Sequence, residues 1–129
     1  MADEQITKGI KILVKTTYEG LIDNNDLNLH SFSYEITIKN KSKNTVQLTK
    51  RHWVIFDTLN FKEIVNGKGV VGETPILLPQ DSYTYNSGTF LQSNIGSMKG
   101  FFVMKNINTE NNFKVIVPSF QLITPESLN

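Results

Sequence analysis

Between Phe32 and Lys39 apolar and polar residues alternate without a break: Phe32, Tyr34, Ile36 and Ile38 fall on one side, Ser33, Glu35, Thr37 and Lys39 on the other. Successive strand side chains point to opposite faces, so this spacing predicts a half-buried β-strand. Ile10, Ile12 and Val14, interleaved with Lys11 and Lys15, predict an earlier one. After the polar turn cluster Asn40 to Asn44, the alternation resumes at Val46 and Leu48 and then changes phase. Arg51, Trp53, Ile55 and Asp57 share one face and His52, Val54 and Phe56 the other, which places a β-bulge near Lys50. A turn over Asp57 to Asn60 and a short strand over Phe61 to Val65 lead into the glycine loop Gly67 to Gly72. Tyr83 and Tyr85, Met98 to Lys105 and Phe113 to Leu122 supply three more β-rich runs, the last two joined by the polar loop Asn106 to Asn112.

No stretch repeats apolar residues at helical spacing for three turns, so almost no helix is expected. About seven or eight short strands with frequent turn signals predict an all-β antiparallel sandwich or barrel. The 129 residues fit one domain, 1–129, with an ordered core over about 7–125 and fraying over residues 1–5 and 124–129. Trp53 is a core anchor: burying ~200 Å² at ~25 cal/mol per Å² contributes at most ~5 kcal/mol.

The absence of cysteine removes disulfide scaffolds, zinc fingers and thiol catalysis. A net charge of +1 excludes the basic excess of a general nucleic-acid binder. The acidic start Met-Ala-Asp-Glu-Gln is not a signal peptide, and no apolar run approaches the ~20 residues of a spanning helix, so a cytoplasmic protein with no membrane insertion is expected. Lys39, Lys41, Lys43, Lys50 and Arg51 gather in one hairpin region, where lysine protecting a sheet edge is favoured over RNA or an acidic partner. The other edge, Ile10 to Lys15, offers a route to a homodimer.

Gly67-Lys68-Gly69-Val70-Val71-Gly72 matches GxGxxG, but Pro75 and Pro79 follow too closely for a helix to start there, and the dinucleotide fingerprint needs that helix. The loop is therefore a β-connection whose glycines adopt positive φ. A phosphate nest built from the amides of Gly67, Gly69 and Gly72 with Lys68 would supply ~3 to 6 kcal/mol from two charge-assisted bonds, close to millimolar affinity. Tighter binding would need Arg51, Lys62 or a stacking aromatic. His30 and His52 lack metal-ligand spacing and are expected at the surface. His52, Asp57 and Ser87 can be drawn as a hydrolase set, but no GxSxG elbow accompanies them. No catalytic residue, cofactor or metal is expected.

Arg51 to Asp57, Gly67 to Gly72 with Pro75, Tyr83 to Gly88, Gly96 to Gly100 and Val117-Pro118-Ser119-Phe120 together resemble the ApaG family in order and spacing. The similarity spans about residues 7–125. It implies an immunoglobulin or fibronectin type III-like sandwich, free-standing in bacteria and attached to an F-box protein or a polymerase-delta-interacting protein in eukaryotes. It also implies genetic links to cobalt resistance, magnesium efflux and diadenosine tetraphosphate metabolism, with no family-wide catalytic activity and a glycine loop proposed to contact pyrophosphate. Asn60, Gln80 and Asn112 stand where the family commonly has glycine; asparagine tolerates the left-handed region, whereas Gln80 is the odder choice.

The reading that follows is a non-catalytic interaction module. It presents the glycine loop and the uncharged stretch Ser82 to Met98, with Tyr85, Ser87 and Gly88, to an unknown protein partner. Its rival is a weak nucleotide or polyphosphate sensor (ATP, diadenosine tetraphosphate) using Arg51, Lys68 and the loop glycines.

Overall fold

The computed structural model describes residues 2–24, 27–59 and 62–128. Among them run nine strands, β1 (Ala2–Thr7), β2 (Ile10–Asn24), β3 (Leu27–Asn40), β4 (Val46–Asp57), β5 (Glu63–Lys68), β6 (Ile76–Leu77), β7 (Ser82–Leu91), β8 (Ile95–Asn106) and β9 (Asn112–Ile123), before a single 3-10 turn at Pro125–Leu128. One sheet has the order β1-β2-β3-β7 and the other β5-β4-β8-β9, with β6 also paired to β4; every pairing is antiparallel. The two face each other as a sandwich of the immunoglobulin and fibronectin type III kind. The alternation in the sequence is what builds it: Ile10, Ile12, Val14, Phe32, Tyr34, Ile36 and Ile38 come from one sheet and meet Trp53, Phe102, Met104, Val115, Val117 and Phe120 from the other. Trp53 is 3% exposed and stands edge-on to Tyr34, Phe102 and Phe120.

The phase change in β4 is a bulge between Leu48 and Lys50 in the ladder to β8, as expected. Almost no helix forms, and the chain after Gly72 goes through Pro75 into the short strand β6. Several expectations need correction. There are nine strands and not seven or eight, because β1 and β6 have too few apolar residues to show a period. Five of them are longer than ten residues. The N-terminal residues 2–5 do not fray but pair with β2, and the C-terminal turn is pinned by Asn94 Nδ2 donating to Ser127 Oγ at 2.7 Å. The strand expected over Phe61–Val65 is displaced to Glu63–Lys68, and Phe61 and Asn60 lie outside the described residues.

The lysine-rich region is not a hairpin, because β3 and β4 belong to different sheets and the segment 41–45 crosses between them. Lys39 and Lys50 therefore sit on interior strands, not on an edge to be protected. Ile10 to Lys15 is likewise flanked by β1 and β3 and offers no free edge. The crossover is held by Asn40, which is fully buried: its Nδ2 donates to the carbonyls of Asn44 and Leu77, and its Oδ1 accepts from the Ser42 amide and hydroxyl. Gln80 does adopt a left-handed φ of 74°, its amide donating to the Asn40 carbonyl at 2.7 Å. At the β8–β9 turn the left-handed residue is Glu110 (φ 63°) and not Asn112.

Candidate functional site

The sandwich is closed on one side and open on the other. At the closed side the outer strands β1 and β9 touch, the Ile116 amide donating to Thr7 Oγ1 at 3.2 Å. On the opposite side the sheets end in β5 and β7, and between these free edges lies a groove of about 660 Å³. Its floor is the aromatic core seen from outside, Tyr34 and Trp53, and its walls are Val65 and Val70 on one side and Tyr85, Ser87 and Gly88 on the other. Strands β4 and β7 run through it in the same direction, from Arg51 and Tyr85 at one end to Asp57 and Gln92 at the other, where the Gln92 amide donates to Asp57 Oδ2 at 2.7 Å.

The two ends differ chemically. At the first, Arg51 faces inward because the bulge puts it on the same side as Trp53. Its Nη1 donates to the carbonyls of Lys68 (3.1 Å) and Gly69 (3.0 Å), and no carboxylate lies within 4 Å among the described residues. Beside it Tyr85 is 7% exposed, and its hydroxyl has no hydrogen-bond partner. An orphaned buried hydroxyl costs about 1–3 kcal/mol, so an open one beside a groove is an unusual feature for a stable core to keep. Burial pushes the Tyr85 phenol far above its ordinary value, Tyr34 adding to the rise while the Arg51 charge opposes it. Burial raises Tyr34 too, against the pull of Ser87 and Arg51. Both phenols therefore remain protonated donors at any physiological pH.

At the other end Asp57 is occupied with structure. Burial pushes its carboxyl up, but the hydrogen bonds from Ser93, Gln92 and Leu59 outweigh that and hold it below the ordinary aspartate range. Leu27 and Phe90, each more than half exposed, flank this end with apolar surface.

The glycine motif does not build an anion nest. Its three glycines serve three separate backbone needs. Gly67 lies in β5 beneath the Arg51 guanidinium. Gly69 has a φ of +62° and sits so close to the Glu73 carbonyl that any side chain would run into it. Gly72 (φ +79°) follows Val71 (φ +47°) at the tip of a two-residue hairpin closed by mutual bonds between Val70 and Glu73 of 2.8 and 2.9 Å, the signature of a type I′ turn. The Gly69 amide is spent on the Thr49 carbonyl at 2.8 Å, and the Lys68 and Gly69 carbonyls, not their amides, face the nearest cation. Lys68 is exposed at the end of β5.

Of the residues singled out in the sequence, Arg51, Tyr85, Ser87 and Gly88 come together in the groove, whereas Gly67, Lys68, Gly69 and Gly72 lie outside it. The stretch Ser82 to Met98 is not one exposed surface: Tyr85, Leu91, Ser93, Gly96 and Met98 are buried among its exposed and half-buried residues. Tyr34 was missed. Its place in a core-facing alternation was the available signal, since a tyrosine there must bring its hydroxyl to a partner or an opening. His30, expected at the surface, is half-buried in β3, its Nδ1 2.8 Å from the Tyr18 hydroxyl. His52, on the outer face of β4, meets Asn66 and stacks on Phe101, so it faces away from Ser87 and no hydrolase set forms. Among the described residues no group of three or more His, Asp or Glu side chains is placed to hold a metal ion, and no helix is long and apolar enough to cross a membrane.

Comparison with known proteins matches residues 22–106 to the ApaG domain family. The chain is 40% identical to the Protein ApaG of Shewanella halifaxensis over 125 residues, covering 97% of this chain and 98% of that one. It is 41% identical to the Protein ApaG of Vibrio campbellii over 120 residues, covering 93% and 94%. A crystal structure of an ApaA protein from Bordetella pertussis superposes with a TM-score of 0.77 at 29% identity, covering 93% of this chain and 98% of that one. A structural-genomics target structure superposes at 0.85 with 38% identity, covering 91% and 88%.

Proposed function

The chain belongs to the ApaG family, and from that premise we propose that it is a non-catalytic protein-interaction module that takes up an extended segment of a partner along the free edge of β7. The observation that carries this reading is the character of that edge. Strand β7 has ten residues, Ser82 to Leu91, without a charge or a proline, and its ladder to β3 runs without a bulge. Edge strands of soluble proteins are usually blunted by lysine, proline or a bulge, because unpaired N–H and C=O groups recruit other strands. An edge left unguarded beside a groove is suited to β-strand addition: main-chain bonds supply affinity and the groove reads alternate side chains. In this reading the family's genetic link to cobalt and magnesium runs through the partner protein.

The test is affinity capture from lysate with the native chain and with a Thr84→Lys, Asn86→Lys variant, both positions being exposed on β7. The expected result is a protein retained by the native chain, lost with the variant, and protecting β7 amides from hydrogen exchange when bound. Partners that bind both forms equally, or that protect the β8–β9 face instead, would overturn the reading.

A further inference from the structure

The face of the β5-β4-β8-β9 sheet that turns away from the core is charged with one sign. Residues opposite each other in a ladder share a face, and the registers place Lys50, Lys68, Lys99, Lys105 and Lys114 together on this one. The carboxylates of these four strands are Asp57 and Glu63, and both line the groove on the inner side. The other sheet is balanced: Lys11, Lys15 and Lys39 share its outer face with Glu4, Glu19 and Glu35, and Lys11 pairs with Glu4 at 3.3 Å. A net charge of +1 therefore hides a sheet face with five positive charges and no negative one.

Edge protection does not account for it. β4 and β8 are interior strands, and they carry Lys50, Lys99 and Lys105. Lys50 and Lys68 stand directly opposite each other, a like-charge pairing that destabilises a sheet. On the other sheet the matching pair, Lys11 and Lys39, is relieved by Glu4. Here no carboxylate lies within 4 Å of any of the five lysines among the described residues. Two of them rest on aromatic rings instead: Lys114 Nζ is 4.5 Å from the Phe101 centroid, and Lys99 Nζ is 5.6 Å from that of Phe56.

The pairing also sets the charge in a line. Lys68, Lys50, Val103 and Lys114 follow one another across the four strands in a single row, about 14 Å long at ~4.8 Å per strand. The next row, about 7 Å further along the strands, is Asn66, His52, Phe101 and Ile116. In it the His52 and Phe101 rings stack at 4.7 Å, and Asn66 Oδ1 meets His52 Nδ1. A row of cations beside a row of planar and amide side chains on an open sheet suits a single nucleic-acid strand, whose phosphates take the ammonium groups while its bases stack on rings. An acidic peptide would use the first row and leave the second without a role. A duplex keeps its bases stacked on one another and offers the rings nothing.

We propose that this outer face binds single-stranded nucleic acid, its phosphates along Lys68, Lys50 and Lys114 and a base against Phe101 and His52. A phosphate that draws Lys114 off the Phe101 ring uncovers the surface on which the base stacks. The site shares no residue with the β7 edge and stands or falls apart from strand addition there.

The test is fluorescence anisotropy of labelled oligo(dT) and oligo(U), about sixteen nucleotides long, with the purified full chain. Saturable binding at about 50 mM salt is the expected result, with log K falling against log salt at a slope of about −2, the value for three phosphate contacts on a single strand. The double variant Lys50→Gln, Lys68→Gln should bind at least tenfold more weakly and with a shallower slope. The control Lys11→Gln, Lys39→Gln, a cross-strand pair of the same kind on the other sheet, should change neither. Phe101→Leu should weaken binding about tenfold while keeping the slope. Titration of the native chain should shift the Phe101 ring resonances, which reads the stacking even where that variant fails to fold. A duplex of the same length, or polyglutamate, bound as tightly as the single strand would overturn the proposal. So would absence of binding, equal losses in the two lysine pairs, or Phe101 ring resonances that stay in place.

Discussion

The Arg51 guanidinium occupies the space that a side chain on Gly67 would need: a Cβ built at position 67 falls 2.5 Å from Arg51 Cζ. The glycine of β5 thus sets where the arginine of β4 can lie, and that arginine supplies the charge at the end of the groove. A motif that reads in the sequence as a phosphate grip is, in this pair, a device for laying an arginine flat across a neighbouring strand.

Gly67→Ala should move the guanidinium without breaking the fold, because the obstructing atoms are the free end of a flexible side chain. The loss is expected at about 1 kcal/mol, the worth of two solvent-accessible hydrogen bonds to the Lys68 and Gly69 carbonyls. Gly69→Ala should cost roughly 3 kcal/mol or more, since it adds left-handed strain to a collision with the Glu73 backbone. Urea denaturation of the two variants separates them, and equal losses would contradict the geometry.

Val71 is a β-branched residue in the left-handed region, with 62% of its surface exposed. That combination is strained and nothing in the fold repays it. Val71→Asn creates the Asn-Gly pair favoured in type I′ turns and should stabilise the protein by about 1 kcal/mol, read as a rise in Tm. An unchanged or lowered Tm would show that the Val71 side chain contributes packing that offsets its strain.

Tyr85→Phe removes a buried hydroxyl that has no partner, so the free protein should gain about 1 kcal/mol. Equilibrium unfolding by urea measures this directly. A loss of stability would mean that the hydroxyl is already hydrogen-bonded in solution.

Asp57 ties the end of β4 to the β7–β8 connection through the amides of Leu59, Gln92 and Ser93. Its carboxyl lies below the ordinary aspartate value of 3.8 in the folded state, so the unfolded chain takes up the proton more readily. The stability it contributes is therefore complete above that value and is lost as pH falls through the lower folded one. Asp57→Asn should cost about 1–2 kcal/mol near neutral pH and flatten the stability profile below pH 4. A parallel profile for variant and native chain would exclude Asp57 as the source.

ATP or diadenosine tetraphosphate titrated to millimolar concentration should leave the amide resonances of Gly67, Gly69 and Gly72 in place, because the Gly69 amide is committed to Thr49 and the loop carbonyls face Arg51. Saturable shifts at all three glycines would restore the nucleotide-sensor reading.

Alternation by itself determined which faces of β2 and β3 are buried, because a strand in a sandwich has one wet and one dry face and the side-chain period of two records it; β8 and β9 were legible only as β-rich runs, because the unbroken run Phe101 to Met104 and the phase change after Val117 hide the period. The phase slip at Leu48 to Lys50 announced the bulge, and Pro75 and Pro79 ruled out a helix after Gly72; both are local backbone constraints that need no tertiary partner. The ApaG resemblance was legible from ordered short motifs for the same reason. Pairing was not legible. That Lys39 and Lys50 sit on interior strands, that the segment 41–45 crosses between sheets, and that β5 and β7 are left as facing free edges depend on contacts between residues far apart in sequence. Whether Gly67 frees an amide or makes room for Arg51, and whether the Tyr85 hydroxyl finds a partner, are decided by what lies across the gap between two sheets. A one-dimensional pattern records which side of a strand is dry, but not what stands opposite it.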